Sequence, residues 1–311
     1  MTWGPARTPS GSPPAEIDVD EPLVRSLLAG QHPDLSHLPL EHIDEGWDNT
    51  LWRLGDELLV RLPRRAQAAS LVAKEQRWLP SLAPLLPLPV PAPLRAGLPS
   101  VDYPWRWSIV PWLSGCPGDR ATISDPDDAA RRLGHFLRAL HQPAPRDAPL
   151  NPYRGVPLAD RSSTFEDRLV ELASEIDVVA TRRVWDRACQ AQPWHHPSTW
   201  LHGDLHPANT LVSQGTLVGI VDFGDLGAGD PATDLAAALM LLPRSSDATF
   251  EDAYGEMGPD LEARSLGWAL LFGMMLLSIG LDTQPSSGHP TYAPIGRSTL
   301  MRVTERHAES P

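Results

Sequence analysis

A chain of 311 residues is long enough to bury a large core and to divide into two lobes. With 39 acidic against 26 basic residues and a formal net charge of -13, it has the wrong sign for gripping nucleic acid through phosphates, though it would attract a cationic small molecule. Its two cysteines, Cys116 and Cys189, stand in neither a metal nor a redox spacing, which fits a reducing, cytoplasmic setting.

Residues 1–17 lack the apolar core of a signal peptide, and the Pro, Ser and Gly among them predict a disordered tail. A first short helix is expected over 18–30, with acids in its first turn and a closing glycine. Turn signals at GWDN and GDE divide the next stretch into three antiparallel strands, near 38–45, 50–54 and 57–62. Residues 64–82 carry Ala, Leu and Trp at helical spacing, a helix to pack on that sheet. Within 64–65 the two arginines are expected to be solvated. The proline-dense run 85–99 cannot sustain a helix and is read as extended. Residues 103–113, aromatic and β-branched, form the last strand of a first lobe spanning 18–112.

Helices dominate the second lobe, 113–311. They are expected at 125–141 with Ser124 or Asp125 as cap, within 165–190, and at 231–242, where Asp230 caps and Pro231 begins the helix. Further helices are expected at 248–256, 259–282 and 292–306. The apolar run 266–281 holds 16 residues and three interior glycines, short of the roughly 20 that a bilayer requires, and reads as a buried helix. No membrane association is expected.

Between these helices lies WLHGDLHPANTLVSQGTLVGIVDFGDLGAGDPATD, residues 200–234. Polar groups at that density do not serve a core, because each one buried unpaired costs free energy. The turn at 213–215 separates two short apolar runs, so a hairpin would bring the loop before it and the loop after it to one edge. Asp204, Asn209 and Asp222 would then converge. An Asp and an Asn for a metal, with another Asp facing an acceptor hydroxyl, is the equipment of phosphoryl transfer.

HGDLHPAN followed by IVDFGD and GDPATDLA resembles the aminoglycoside phosphotransferase family, small-molecule kinases with the protein-kinase-like fold. The resemblance implies an α+β, bilobal fold, with a small N-terminal antiparallel β lobe and a larger, mainly helical C-terminal lobe. It implies transfer of the γ-phosphate of ATP or GTP, with Mg²⁺, to a hydroxyl of an aminoglycoside-like or other small molecule. Asp204 is then the catalytic base, and Asn209 and Asp222 hold the metal. His202 serves loop packing, and Asp234 braces the catalytic loop by hydrogen bonding. In the small lobe the turn holding Gly46 and Asn49 would cover the phosphates. Arg61, where relatives often carry lysine, would meet the α- and β-phosphates and pair with Glu75. Backbone groups of Ile109, Val110 and Pro111 would meet the purine edge, with Trp105, Trp107 and Trp112 divided between pocket lining and core.

Asp225 and His206 stay undecided between the site and the loops. The acids Asp247, Glu251, Asp252, Glu256 and Asp260 either draw a polyamine acceptor or form a solvated face. Two other classes use the same letters: a catalytically silent nucleotide-binding module, and a dinuclear metal hydrolase built on His202, Asp204, His206 and Asp222 with His195 and His196 nearby.

Overall fold

The computed structural model of the chain describes residues 14–46, 48–282 and 289–309. The expected tail thus falls mainly on residues outside that set, and so does Trp47 of the GWDN turn. At Glu16 the chain is already tied down, its N–H donating to Arg64 and its carboxylate accepting from the Ala66 N–H. The described residues fall into two compact units, one of 14–84 and 90–113, the other of 85–89, 114–282 and 289–309.

The first unit opens with helix α1 (Glu21–Gln31), whose cap is Asp20, its carboxylate accepting from the Leu23 N–H. Strands β1 (Leu40–Glu45), β2 (Asn49–Leu54) and β3 (Leu58–Pro63) follow, then helix α2 (Ala66–Leu82) and strands β4 (Arg95–Gly97) and β5 (Trp107–Pro111). They form a five-stranded sheet in the order β1-β2-β3-β5-β4, antiparallel at each pairing. Alternation along β2 buries Thr50, Trp52 and Leu54 and leaves their neighbours half-buried, as one covered face requires. Trp52, Leu54, Val60, Leu62, Tyr103, Trp107 and Ile109 meet Val24, Leu27 and Leu28 of α1 in a single apolar cluster. Trp107 is a core residue. A Cβ built on Gly97, opposite it in the β4–β5 ladder, would lie 2.0 Å from its ring, so only glycine fits there.

The second unit begins with strand β6 (Cys116–Pro117) and helix α3 (Pro126–Leu140), which Asp125 caps through the Asp128 N–H. The 165–190 stretch is two helices, α4 (Ser162–Glu171) and α5 (Val178–Gln190). Strand β7 (Thr199–Leu201), the hairpin β8 (Thr210–Ser213) and β9 (Thr216–Ile220), and strand β10 (Gly227–Gly229) come next. β10 pairs with β7, and β6 pairs with β8, two short ladders that the sequence pattern did not announce. Helices α6 (Ala232–Leu241), α7 (Asp247–Tyr254), α8 (Pro259–Leu281) and α9 (Tyr292–Glu309) complete the unit. Among the described residues α8 alone is long and apolar enough to cross a membrane, yet 72% of its apolar window is buried inside the fold, as in a core helix.

Candidate active site

The hairpin decides the geometry. Its open end pairs Thr210 with Ile220, so Asn209, just before β8, and Val221, just after β9, are neighbours, and the Val221 N–H donates to the Asn209 carbonyl at 2.9 Å. His202 joins the third loop to these two. Its Nε2 donates to the Val221 carbonyl at 2.9 Å, its Nδ1 accepts from the Asp204 N–H at 3.2 Å, and its ring lies 4.6 Å from that of Phe223. This pattern fixes the neutral, Nε2-protonated tautomer.

Asp234, one turn into α6 and fully buried, anchors the whole. One carboxylate oxygen accepts from the His202 N–H at 2.7 Å and the other from the Gly203 N–H at 2.9 Å. His141 adds a third donor through Nε2 at 3.3 Å, its Nδ1 facing the Tyr254 hydroxyl at 3.0 Å. Gly203 has φ of +85°, and a Cβ there would lie 2.5 Å from the Asp225 carbonyl oxygen. Both the turn and the close approach demand glycine.

Asp204 is presented by this scaffold with a quarter of its side chain exposed. Its carboxylate accepts from Arg154 at 2.9 Å and lies 3.5 Å from His206 Nε2, while the Asn209 carboxamide donates to its backbone carbonyl at 2.8 Å. Burial raises its pKa. The hydrogen bond and charge of His206 and the Arg154 guanidinium outweigh that and hold the carboxyl well below the usual range, so the group is a carboxylate at neutral pH. Asp222 is exposed and sits in the left-handed region at φ 64°, ψ 72°, its carboxylate accepting from the Gly224 N–H at 3.4 Å. Asp tolerates that conformation better than most residues but still stores strain, which a scaffold maintains where the side chain must be aimed. Asp204, Asn209 and Asp222 therefore occur together.

In the first unit Arg61 and Glu75 are both buried and paired, Arg61 donating to both carboxylate oxygens at 3.1 and 3.2 Å. The Gly46 N–H donates to the Asn49 carbonyl at 2.8 Å, closing the turn between β1 and β2. The expectation that Arg64 and Arg65 are solvated is wrong. Arg64 is buried, bonded to the Gly46 carbonyl and to Glu45, and Arg65 pairs with Asp48 at 2.6 Å. The turn carries acids and a free carbonyl for which these two arginines are the matching donors. Ile109, Val110 and Pro111 are the last three residues of β5. The Ile109 carbonyl accepts from the Leu94 N–H and the Trp112 N–H is bonded to the Glu57 carbonyl. Trp105 packs against the core, and Trp112 lies under the Arg53 guanidinium at 4.7 Å.

Three residues enter that motif reading overlooked: Arg154 on Asp204, Asn151, whose carboxamide donates to Asp225 at 2.7 Å, and Arg161 beside them. They lie in the loop after α3, where the sequence offers no motif, only Gly155 next to Arg154. Asp225 is thereby a loop-tying residue. Asp230 does more than cap: it accepts from the Ala232 N–H and forms a buried ion pair with Arg264 at 2.6 Å. Among the described residues no group of three or more His, Cys, Asp or Glu side chains is disposed to hold a metal.

A sheet-bearing unit and a mainly helical unit, the latter carrying two adjoining aspartate loops, one of them braced by a third acid, define a kinase-like α+β protein. The model of the phosphotransferase enzyme family matches residues 39–266, and the chain belongs to that family. It is 30% identical over 179 residues to an aminoglycoside 3'-phosphotransferase of Escherichia coli, an alignment spanning 54% of this chain and 61% of that enzyme. It shares its fold with the GDP and kanamycin complex of an APH(2") enzyme, at a TM-score of 0.67 and 22% identity over 91% of this chain and 98% of the other. The macrolide 2'-phosphotransferase MphH of Brachybacterium faecium is similar at a TM-score of 0.58 and 23% identity, over 89% and 96%.

Proposed function

We propose that the protein is a small-molecule kinase, moving the γ-phosphate of ATP or GTP to a hydroxyl of a small acceptor. The observation that carries this reading is the convergence of Asp204, Asn209 and Asp222 at one end of the hairpin, with the backbone beside Asp204 fixed by Asp234. In this reading Asp204, ionised at neutral pH, orients the acceptor hydroxyl and receives its proton as the new O–P bond forms and the bond to the departing nucleoside diphosphate breaks.

The Asn209 carboxamide oxygen and the Asp222 carboxylate are hard oxygen donors of the kind Mg²⁺ takes, one from the loop and one aimed outward by its left-handed backbone. A Mg²⁺ held by these two residues would supply positive charge against the phosphates. Arg61, oriented by Glu75, is assigned the α- and β-phosphates. The turn from Gly46 to Asn49 is assigned to cover the phosphates, and the backbone at 109–111 to meet the base. A guanidinium in place of an ammonium offers a planar fork, so nucleotide binding here tolerates Arg61→Lys poorly.

The test is nucleotide consumption with Mg²⁺ across a panel of hydroxylated compounds that begins with the aminoglycosides and macrolides named for its relatives. Asp204→Ala is expected to lower turnover by about 100-fold or more while Mg²⁺ and nucleotide still raise the melting temperature. Absence of any nucleotide-dependent stabilisation would sink the proposal. A second reading, a silent nucleotide-binding module, is favoured by one feature, the Arg154 guanidinium lying directly on Asp204. It predicts stabilisation by nucleotide without turnover on every acceptor.

A further inference from the structure

The scaffold around Asp234 accounts for the acids of the site and leaves two cations over. Arg154 spends one guanidinium nitrogen on Asp204 and on the Met275 sulfur and lies 4.8 Å from the Phe272 ring centre, yet its Nε is buried with no hydrogen-bond partner among the described residues. Arg161, at the end of the turn Leu158–Arg161, stands over the Tyr153 ring at 5.2 Å, and its Nε is likewise buried and unpartnered. Among the described residues the charged or ionisable groups that face Arg161 are Arg154 and Tyr153, and neither is a carboxylate. Burial and the Arg154 charge both push its pKa down. A half-buried guanidinium with a like charge beside it and donors unspent is unfavourable unless an anion completes it.

The position of these arginines is built, not incidental. Gly155 adopts φ of +68°, its N–H donating to the Thr233 hydroxyl at 3.0 Å and its carbonyl accepting from the Asp230 N–H at 3.0 Å. Asn151 is tied to Asp225, and the Pro149 carbonyl accepts from the Ala228 N–H at 2.8 Å. The loop is stitched to β10 and the start of α6, and Arg154 is held against Asp204. Meanwhile three of the five acids that would draw a polyamine are engaged within the protein, and only Asp252 and Glu256 of that set stand exposed. Asp247 pairs with Arg302 and Arg306, and Glu251 and Glu262 pair with Arg306. Asp260 caps the Gln192 N–H.

We infer that the acceptor is a hydroxyl compound carrying an anionic group, a carboxylate or a phosphate monoester, which Arg154 and Arg161 hold while its hydroxyl faces Asp204; polycationic amino sugars are disfavoured. This rests on the phosphotransfer reading for the fate of the hydroxyl but not for the binding of the anion.

Calorimetric titration of the full chain without nucleotide, using D-glucose, D-glucuronate, D-glucose 6-phosphate, D-glucosamine and kanamycin, tests it. At least one of the two anions is expected to bind about tenfold or more tighter than glucose, the worth of one charge-assisted pair, with the two cations no tighter than glucose. The stronger anion identifies which group the arginines take. Arg161→Gln is expected to erase the preference and Arg161→Lys to keep part of it, with the melting temperature and the stabilisation by Mg²⁺ and nucleotide unchanged in both. Anions binding no better than glucose, no binding of either, or a preference that survives both Arg161→Gln and Arg154→Gln overturns the inference. Failure of the kinase reading would show separately, as no response to nucleotide.

Discussion

Two arginine–carboxylate pairs in the second unit share one chemistry and differ in closure. Asp230 and Arg264 meet at 2.6 Å with 7% of each side chain exposed. Asp230 also receives the Ala232 N–H, and Arg264 also donates to the Gln192 carbonyl, so little bonding capacity is left over. Asp204 and Arg154 meet at 2.9 Å with 25% and 18% exposed, and the Arg154 Nε has no partner among the described residues. Exclusion of water separates the two: the first pair is sealed inside the fold, and the second is open enough to meet a ligand.

The contrast is sharpest in stability. Arg264→Ala leaves a buried carboxylate at the start of α6 without its cation, and is expected to cost about 3–5 kcal/mol in urea unfolding. Arg154→Gln, at the open pair, is expected to cost no more than about 1 kcal/mol while it alters acceptor binding. If the two substitutions destabilise equally, the distinction between a closed and an open pair is lost.

Much of this site was legible in the sequence, for a physical reason. Asp204, Asn209 and Asp222 flank short apolar runs separated by a turn, and a two-stranded ladder has one way to bring the ends of such runs together. Asp234 followed from its place in GDPATDLA, and the structure supplies what it does, two backbone N–H groups received at once. Strands β1, β2 and β3 were marked by GWDN and GDE. Arg154 and Arg161 were not legible, because their meaning is tertiary. An arginine in a proline-rich connection is indistinguishable from a solvated one until Gly155 and Asn151 fix the loop against β10. The same blindness misread Arg64, whose partners Glu45 and the Gly46 carbonyl lie across the sheet's first turn. It also missed β6, β7 and β10, which are two or three residues long and exist only through their ladders.

The smallest expected effect belongs to a third pair, and it isolates burial from geometry. Arg182 grips Glu166 with both prongs of its fork, at 2.7 and 2.5 Å, a better bidentate fit than that of Arg264 on Asp230, at 2.6 and 3.4 Å. Its side chains are nonetheless 41% and 48% exposed. The Arg182 hydrogen bond lowers the Glu166 pKa, so whatever the pair contributes is present above the carboxylate's unfolded value and fades as pH falls through the depressed one. Solvent screens that contribution, and Glu166→Gln is expected to leave the urea midpoint at pH 7 within experimental error of the parent. Were it to shift the midpoint as far as Arg264→Ala does, fork geometry rather than exclusion of water would be what separates the structural pair from the rest, and the open state of Asp204 and Arg154 would lose its meaning.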